Sequence, residues 1–129
     1  NAPAQDQLMD HLRNRNDCML DSMVEKIHRS LKELSDRGRE LSYSDSVVLT
    51  AKQRSAQALL AEKQEADAQR IMSVLRLLQL FCEGHHLELQ NYMREQPANH
   101  HSYNMVSEVA AYVKDLLQLE NVHTVAGGL

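Results

Sequence analysis

Between Ile71 and Cys82 the chain is apolar on nearly every side of a helix. Ile71, Met72, Val74, Leu75, Leu77, Leu78, Leu80, Phe81 and Cys82 leave only Ser73, Arg76 and Gln79 as a narrow polar strip. Such a helix is expected at the centre of a fold, packed by neighbours on several sides. At twelve residues the run is too short to cross a bilayer, and it contains Arg76. It therefore predicts an all-α core, with Leu78 and Phe81 close to fully buried. The composition agrees. Leu, Gln, Glu, Ala, Met and Arg dominate, and the 129 residues include only one Phe, no Trp, two prolines and four glycines. Straight-chain and small residues lose little freedom in a helix, whereas a sheet would lack β-branched and aromatic residues.

Four further helical segments surround this run. The first covers about Gln5 to Arg15, with Leu8, Met9 and Leu12 on one face. Asn16 and Asp17 offer capping side chains for a second helix reaching about Arg37, where Met19, Leu20, Met23, Val24, Ile27, Leu31 and Leu34 form one wide stripe. Gly38 is the expected stop. A short helix from about His86 to Glu95 turns Leu89, Tyr92 and Met93 inward, with Gly84 before it and Pro97 after it. Ser102 is the expected cap of the last helix, Tyr103 to about Glu120, whose stripe is Met105, Val106, Val109, Val113, Leu116 and Leu117. The tail from Val122 to Leu129 has no periodicity and is expected to fray. The length suits one helical domain over residues 1–129. Within it, 38–68 reads as a weakly packed linker or extended helix. Ser42 to Ser46 looks like a loop, and Thr50 to Gln69 has high helix propensity but only Leu59 and Leu60 as large apolar residues. The residues alone thus predict a helical bundle or solenoid segment of five helices.

Charge and cysteine usage narrow the function classes. A net charge of −4, with Lys and Arg scattered among acids, argues against nucleic-acid binding. Cys18 and Cys82 lie in apolar helical patterns, so buried free thiols in a reducing, intracellular compartment are expected rather than a disulfide. No signal peptide is visible, no membrane contact is expected, and the opening Asn1-Ala2 fits the remnant of a tag on an excised fragment.

The chemistry-bearing motifs are weak. Two Glu-x-x-His tetrads, Glu83 to His86 and Glu120 to His123, have the spacing that places a carboxylate and an imidazole on one helix face in di-iron bundles. Glu83, however, precedes a helix-ending glycine, and Glu120 lies where the last helix is expected to fray. The pairs His85-His86 and His100-His101 lack closely spaced cysteine partners of the zinc-site kind, although Cys82 is three residues from His85. No nucleophile elbow, phosphate-binding glycine loop or zincin motif occurs. The reading is therefore no enzyme, with no catalytic, cofactor-binding or metal residue assigned and no cofactor. The methionines fall on apolar faces, where core packing is the plain role and an adaptable groove for a partner helix the alternative.

The run Leu77-Leu78-Gln79-Leu80-Phe81-Cys82-Glu83-Gly84-His85, followed by Leu89-Gln90-Asn91-Tyr92-Met93-Arg94, resembles a block in the inositol trisphosphate receptor and ryanodine receptor family. The block lies in the region associated with the homology domains of that family. There a leucine-rich helix ends in Cys-Glu-Gly/Asn-His-Asn and is followed by Leu-Gln-Asn-Phe/Tyr-Leu-Arg. Ser102 to Glu108 is similar to the inositol trisphosphate receptor's Asn-Tyr-Asn-Leu-Val-Cys-Glu, whereas Gly84 is nearer the ryanodine receptor form. The resemblance is strong over Ile71 to Val113 and weaker over Leu8 to Lys32. His86 in place of Asn and a short 38–68 insertion mark a divergent member. The resemblance implies an armadillo-like segment of the cytosolic scaffold of a homotetrameric calcium-release channel. Its setting would be the cytosolic face of the endoplasmic reticulum or another calcium-store membrane. Its partners would be other domains of the same channel chain and neighbouring subunits, its role coupling of ligand binding to gating. A free-standing adaptor for partner helices is the rival reading. Self-association of the isolated chain is also expected, because a segment cut from a solenoid exposes its end faces.

Overall fold

The computed structural model describes residues 2–14, 18–43 and 50–126, except for the side chains of 39–43 and 122–126. Five α-helices follow one another: α1 (Ala2–Asn14), α2 (Met19–Tyr43), α3 (Ala51–Cys82), α4 (Leu87–Arg94) and α5 (Met105–Ala126). A 3₁₀ turn, Glu83–His85, joins α3 to α4, and no strand occurs among the described residues. The all-α expectation holds. The expected caps Asn16 and Asp17 and most of the Ser42 to Ser46 loop lie outside the described residues, while Ser42 falls within α2.

The core sits on α2, which corrects the expectation of a central α3. Leu20, Met23, Val24 and Ile27 of α2 are all buried, and α2 packs against both α3 and α5. His28 meets Glu108 and Ser30 meets Tyr112, so α2 and α5 run parallel. The start of α2 faces 73–77 of α3 and its later turns face 64–71, so α3 runs antiparallel to it. Ile71, Leu78 and Phe81 of α3 are buried as predicted, whereas Met72, Leu77 and Leu80 are exposed. An all-round apolar sequence demands cover on all sides, and this chain supplies it on one side only. α5 is divided in the same way. Met105 and Tyr112 are buried with Val109 and Leu116 against them, but Val106, Val113 and Leu117 from the expected single stripe face outward.

Several boundaries differ for local reasons. α2 passes through Gly38, because a glycine inside a helix costs only about 1 kcal/mol relative to alanine. α5 continues to Ala126, past the expected fraying point at Glu120. Its first turn is capped by Asn104, whose Oδ1 accepts the Ser107 N–H at 3.1 Å. The expected cap, Ser102, instead accepts the Gln96 N–H at 2.9 Å. Gly84 does end the preceding helix, with φ at +78° in the left-handed region that suits glycine.

α3 is a single helix of 32 residues. Its start is fixed by a capping box: Thr50 Oγ1 accepts the Gln53 N–H at 3.3 Å while the Thr50 N–H donates to Gln53 Oε1 at 2.8 Å. Residues 51–63 are all exposed. Because its side chains are exposed throughout, the amide hydrogens of 51–63 are expected to exchange faster than those of 71–82 in the same helix. Hydrogen exchange followed by mass spectrometry checks this, and equal protection along α3 would contradict it.

Candidate functional site

The tetrad Glu83 to His86 is not assembled as a metal site. Glu83 is exposed and accepts from Gln79 at 3.1 Å, with Arg76 at 3.8 Å. His85 has a positive φ of 59° and points outward, because Gly84 has already reversed the chain. His86 has turned to a different task. Its Nδ1 accepts the Leu89 N–H at 3.1 Å, capping α4, and its Nε2 lies 2.8 Å from Asp6 Oδ1 on α1. An imidazole with both nitrogens engaged in this way has no lone pair left for a metal.

In the second tetrad, Glu120 is exposed on α5 and the His123 side chain lies outside the described residues. His100 and His101 pack edge to face in an exposed loop. No group of three His, Cys, Asp or Glu side chains that could hold a metal ion occurs among the described residues. Cys18 and Cys82 are free, as expected, but exposed rather than buried. Both border clefts whose outer wall is missing, which is why an apolar pattern did not bury them.

What the fold does build is an apolar groove. α3 and α5 both lean on α2 and contact each other little, which leaves an open channel of about 290 Å³ between them. Leu75, Leu78 and Cys82 form one wall, Met105, Val106 and Val109 the other, and Met93 of α4 contributes the base. Val113 and Leu117 lie seven and eleven residues after Val106, so they extend its exposed apolar line along α5.

The ends of the groove are held by polar contacts that periodicity does not reveal. Gln5 of α1 donates to the Glu83 carbonyl at 2.7 Å, capping the end of α3. Gln96, buried between α4 and α5, binds the backbone of Tyr92 on one side of its loop and of Tyr103 on the other. The Tyr103 phenol interacts with the Asp21 carboxylate. That interaction, then desolvation and the negative charges of Asp21 and Glu108, raises its pKa above the ordinary tyrosine value.

Residues 65–127 match the family described as RyR and IP3R Homology associated. The chain is also 32% identical over 88 residues to the inositol 1,4,5-trisphosphate receptor itr-1 of Caenorhabditis elegans. This chain belongs to the inositol trisphosphate receptor and ryanodine receptor family. The aligned part is 67% of this chain and only 3% of the worm receptor, so a small section of a much larger relative is represented here. No solved structure matches. The stretch that matches the family runs from the middle of α3 through the 3₁₀ turn, α4 and all of α5. It therefore contains both walls of the groove. No described helix is long and apolar enough to cross a membrane.

Proposed function

We propose that this chain is a non-catalytic scaffold and relay module of a ligand-gated calcium-release channel. It would lie in the cytosolic region, at an internal calcium-store membrane, within a homotetramer. Family membership supports the channel setting, and the observation that carries the relay role is the pattern of exposure on α3. Leu77 and Leu80 are exposed on a helix whose other face is locked into the core by Ile71, Leu78 and Phe81. A rigid element with one apolar face fixed and one open is suited to move as a unit against neighbouring helices. Relay requires two packing arrangements of similar free energy, differing by a few kcal/mol. No ligand pocket, metal or catalytic group enters this reading.

The test is a chimera in which this chain replaces the matching section of the worm receptor. Ligand-evoked calcium release from vesicles is expected to be retained. Leu77→Glu with Leu80→Glu is expected to abolish release while leaving inositol trisphosphate binding within about twofold, since those residues act on coupling alone. Unchanged release in the double variant would refute the relay role. The isolated chain should give no heat on titration with inositol trisphosphate. An adaptor for partner helices is favoured by the open groove between α3 and α5. The length and hydropathy of the parent reading frame separate the two readings.

A further inference from the structure

Arginine stands three residues before a serine at two places in the chain, Arg39 before Ser42 and Arg70 before Ser73. The first place alone has another arginine two residues earlier. Arg37-Gly38-Arg39-Glu40-Leu41-Ser42-Tyr43 sets arginine at −5 and −3 from the serine and an aromatic residue at +1. A kinase that selects such serines reads the arginines with carboxylates, because a guanidinium binds a carboxylate through two parallel hydrogen bonds. It also takes its substrate as an extended segment, so a helical serine is accepted only where the helix opens at small cost. The fold separates the two serines on that ground.

Ser42 lies in the last turn of α2. The α2 residues that pack into the core run from Met19 to Leu31, so unwinding from Asp36 onward uncovers none of them. Gly38 weakens the same stretch, since only proline is a poorer helix former, and Arg37 is only half-buried. Ser73 is placed oppositely. It lies on α3 between Ile71 and Leu78, both buried, and its Oγ donates to the Gln69 carbonyl at 3.0 Å. Arg70 is already ion-paired with Asp67. Presenting Ser73 to an enzyme would pull α3 out of the core.

We propose that Ser42 is a phosphorylation site for a serine/threonine kinase that selects basic sequences. The γ-phosphoryl group of ATP passes to Ser42 Oγ, where an O–P bond forms. The bond from the γ-phosphorus to the β–γ bridging oxygen breaks, ADP leaves, and the kinase's catalytic carboxylate takes the serine proton. The new group brings a charge of about −1.5 to −2 to the negative end of the helix dipole, which unwinds the last turn of α2. This inference goes beyond the channel reading and does not depend on it.

The test is incubation of the 129-residue chain with ATP, magnesium and a purified kinase selective for arginine at −5 and −3. Phosphate is mapped by tandem mass spectrometry. Ser42 is expected to be modified, and Arg39→Ala should slow the reaction about tenfold or more through loss of one charged contact. Circular dichroism confirms that this variant remains folded. A second kinase, needing arginine at −3 alone, should modify Ser73 in a peptide of residues 67–77 but not in the folded chain. In the phosphorylated chain, the amides of 39–43 should exchange about tenfold faster than before, with those of 20–31 unchanged. An unmodified Ser42, where a peptide of residues 36–43 is modified, would mean that the end of α2 does not open, and overturns the proposal. An unmodified peptide overturns it too, since the sequence would then not be read. Modification of Ser73 in the folded chain at the rate of Ser42 would remove the selection by the fold. Unchanged exchange at 39–43 would refute the effect on α2.

Discussion

Leu89→Ala is expected to lower the free energy of unfolding by about 2–5 kcal/mol, the range for truncating a fully buried leucine into a cavity that only partly collapses. Leu89 is 0% exposed and Met93, one turn later, is nearly as buried, on a helix of only eight residues. So short a helix has no stability of its own in water and is held by what it buries. Loss of Leu89 therefore loosens α4 against α1, α3 and α5 together. Leu78→Ala on α3 should fall in the same range. Leu80→Ala, two residues away but 42% exposed, should change stability by less than about 0.5 kcal/mol. Urea melts of the three variants check this. Equal effects of Leu78→Ala and Leu80→Ala would mean that α3 is covered on both sides, as the sequence alone suggested.

That comparison marks where sequence reasoning was sound and where it was not. Helix existence was legible, because propensity and apolar spacing are local properties, and Leu78 and Phe81 were placed in the core correctly. The rank of the helices was not. α3 is the more apolar sequence, yet α2 is the more enclosed helix, with Leu20 and Ile27 almost inaccessible. Hydrophobicity records what a surface would prefer to bury, not whether this chain supplies the neighbour. The same distinction explains Val113, Leu117 and the exposed cysteines. Gln5 and His86 escaped for another reason. Their partners at Glu83 and Asp6 lie 78 and 80 residues away in sequence, and a polar contact across that distance leaves no periodic trace. The groove follows from the failure over α3. It consists of apolar positions that were legible as apolar, and the arrangement of three helices decides that they stay open.

Gln96 is the polar counterpart of Leu89, and its loss is expected to cost about 2–4 kcal/mol through unmade hydrogen bonds. The residue is 1% exposed. Its side-chain Oε1 accepts the Tyr103 N–H at 2.7 Å, and its Nε2 donates to the carbonyls of Tyr103, at 2.9 Å, and Tyr92. One amide thus serves the last turn of α4 and the approach to α5, pinning the loop between them. Gln96→Leu keeps the volume but strands a backbone donor and two carbonyls away from water, each stranded group costing on the order of 1–3 kcal/mol before relaxation. Gln96→Glu separates polarity from packing. Its carboxylate can still accept from Tyr103, but it faces two carbonyl oxygens with no proton to offer. The folded state then disfavours the ionised form and raises the pKa of the new carboxyl. A raised pKa on an acid means stability is lost as pH rises through the carboxylate range and regained below it. Denaturant melts at pH 7 and pH 4.5, with wild type as the reference at each, should show Gln96→Glu recovering at the lower pH and Gln96→Leu not recovering. If Gln96→Leu stays within about 0.5 kcal/mol of wild type, the α4–α5 loop is held by its apolar contacts alone.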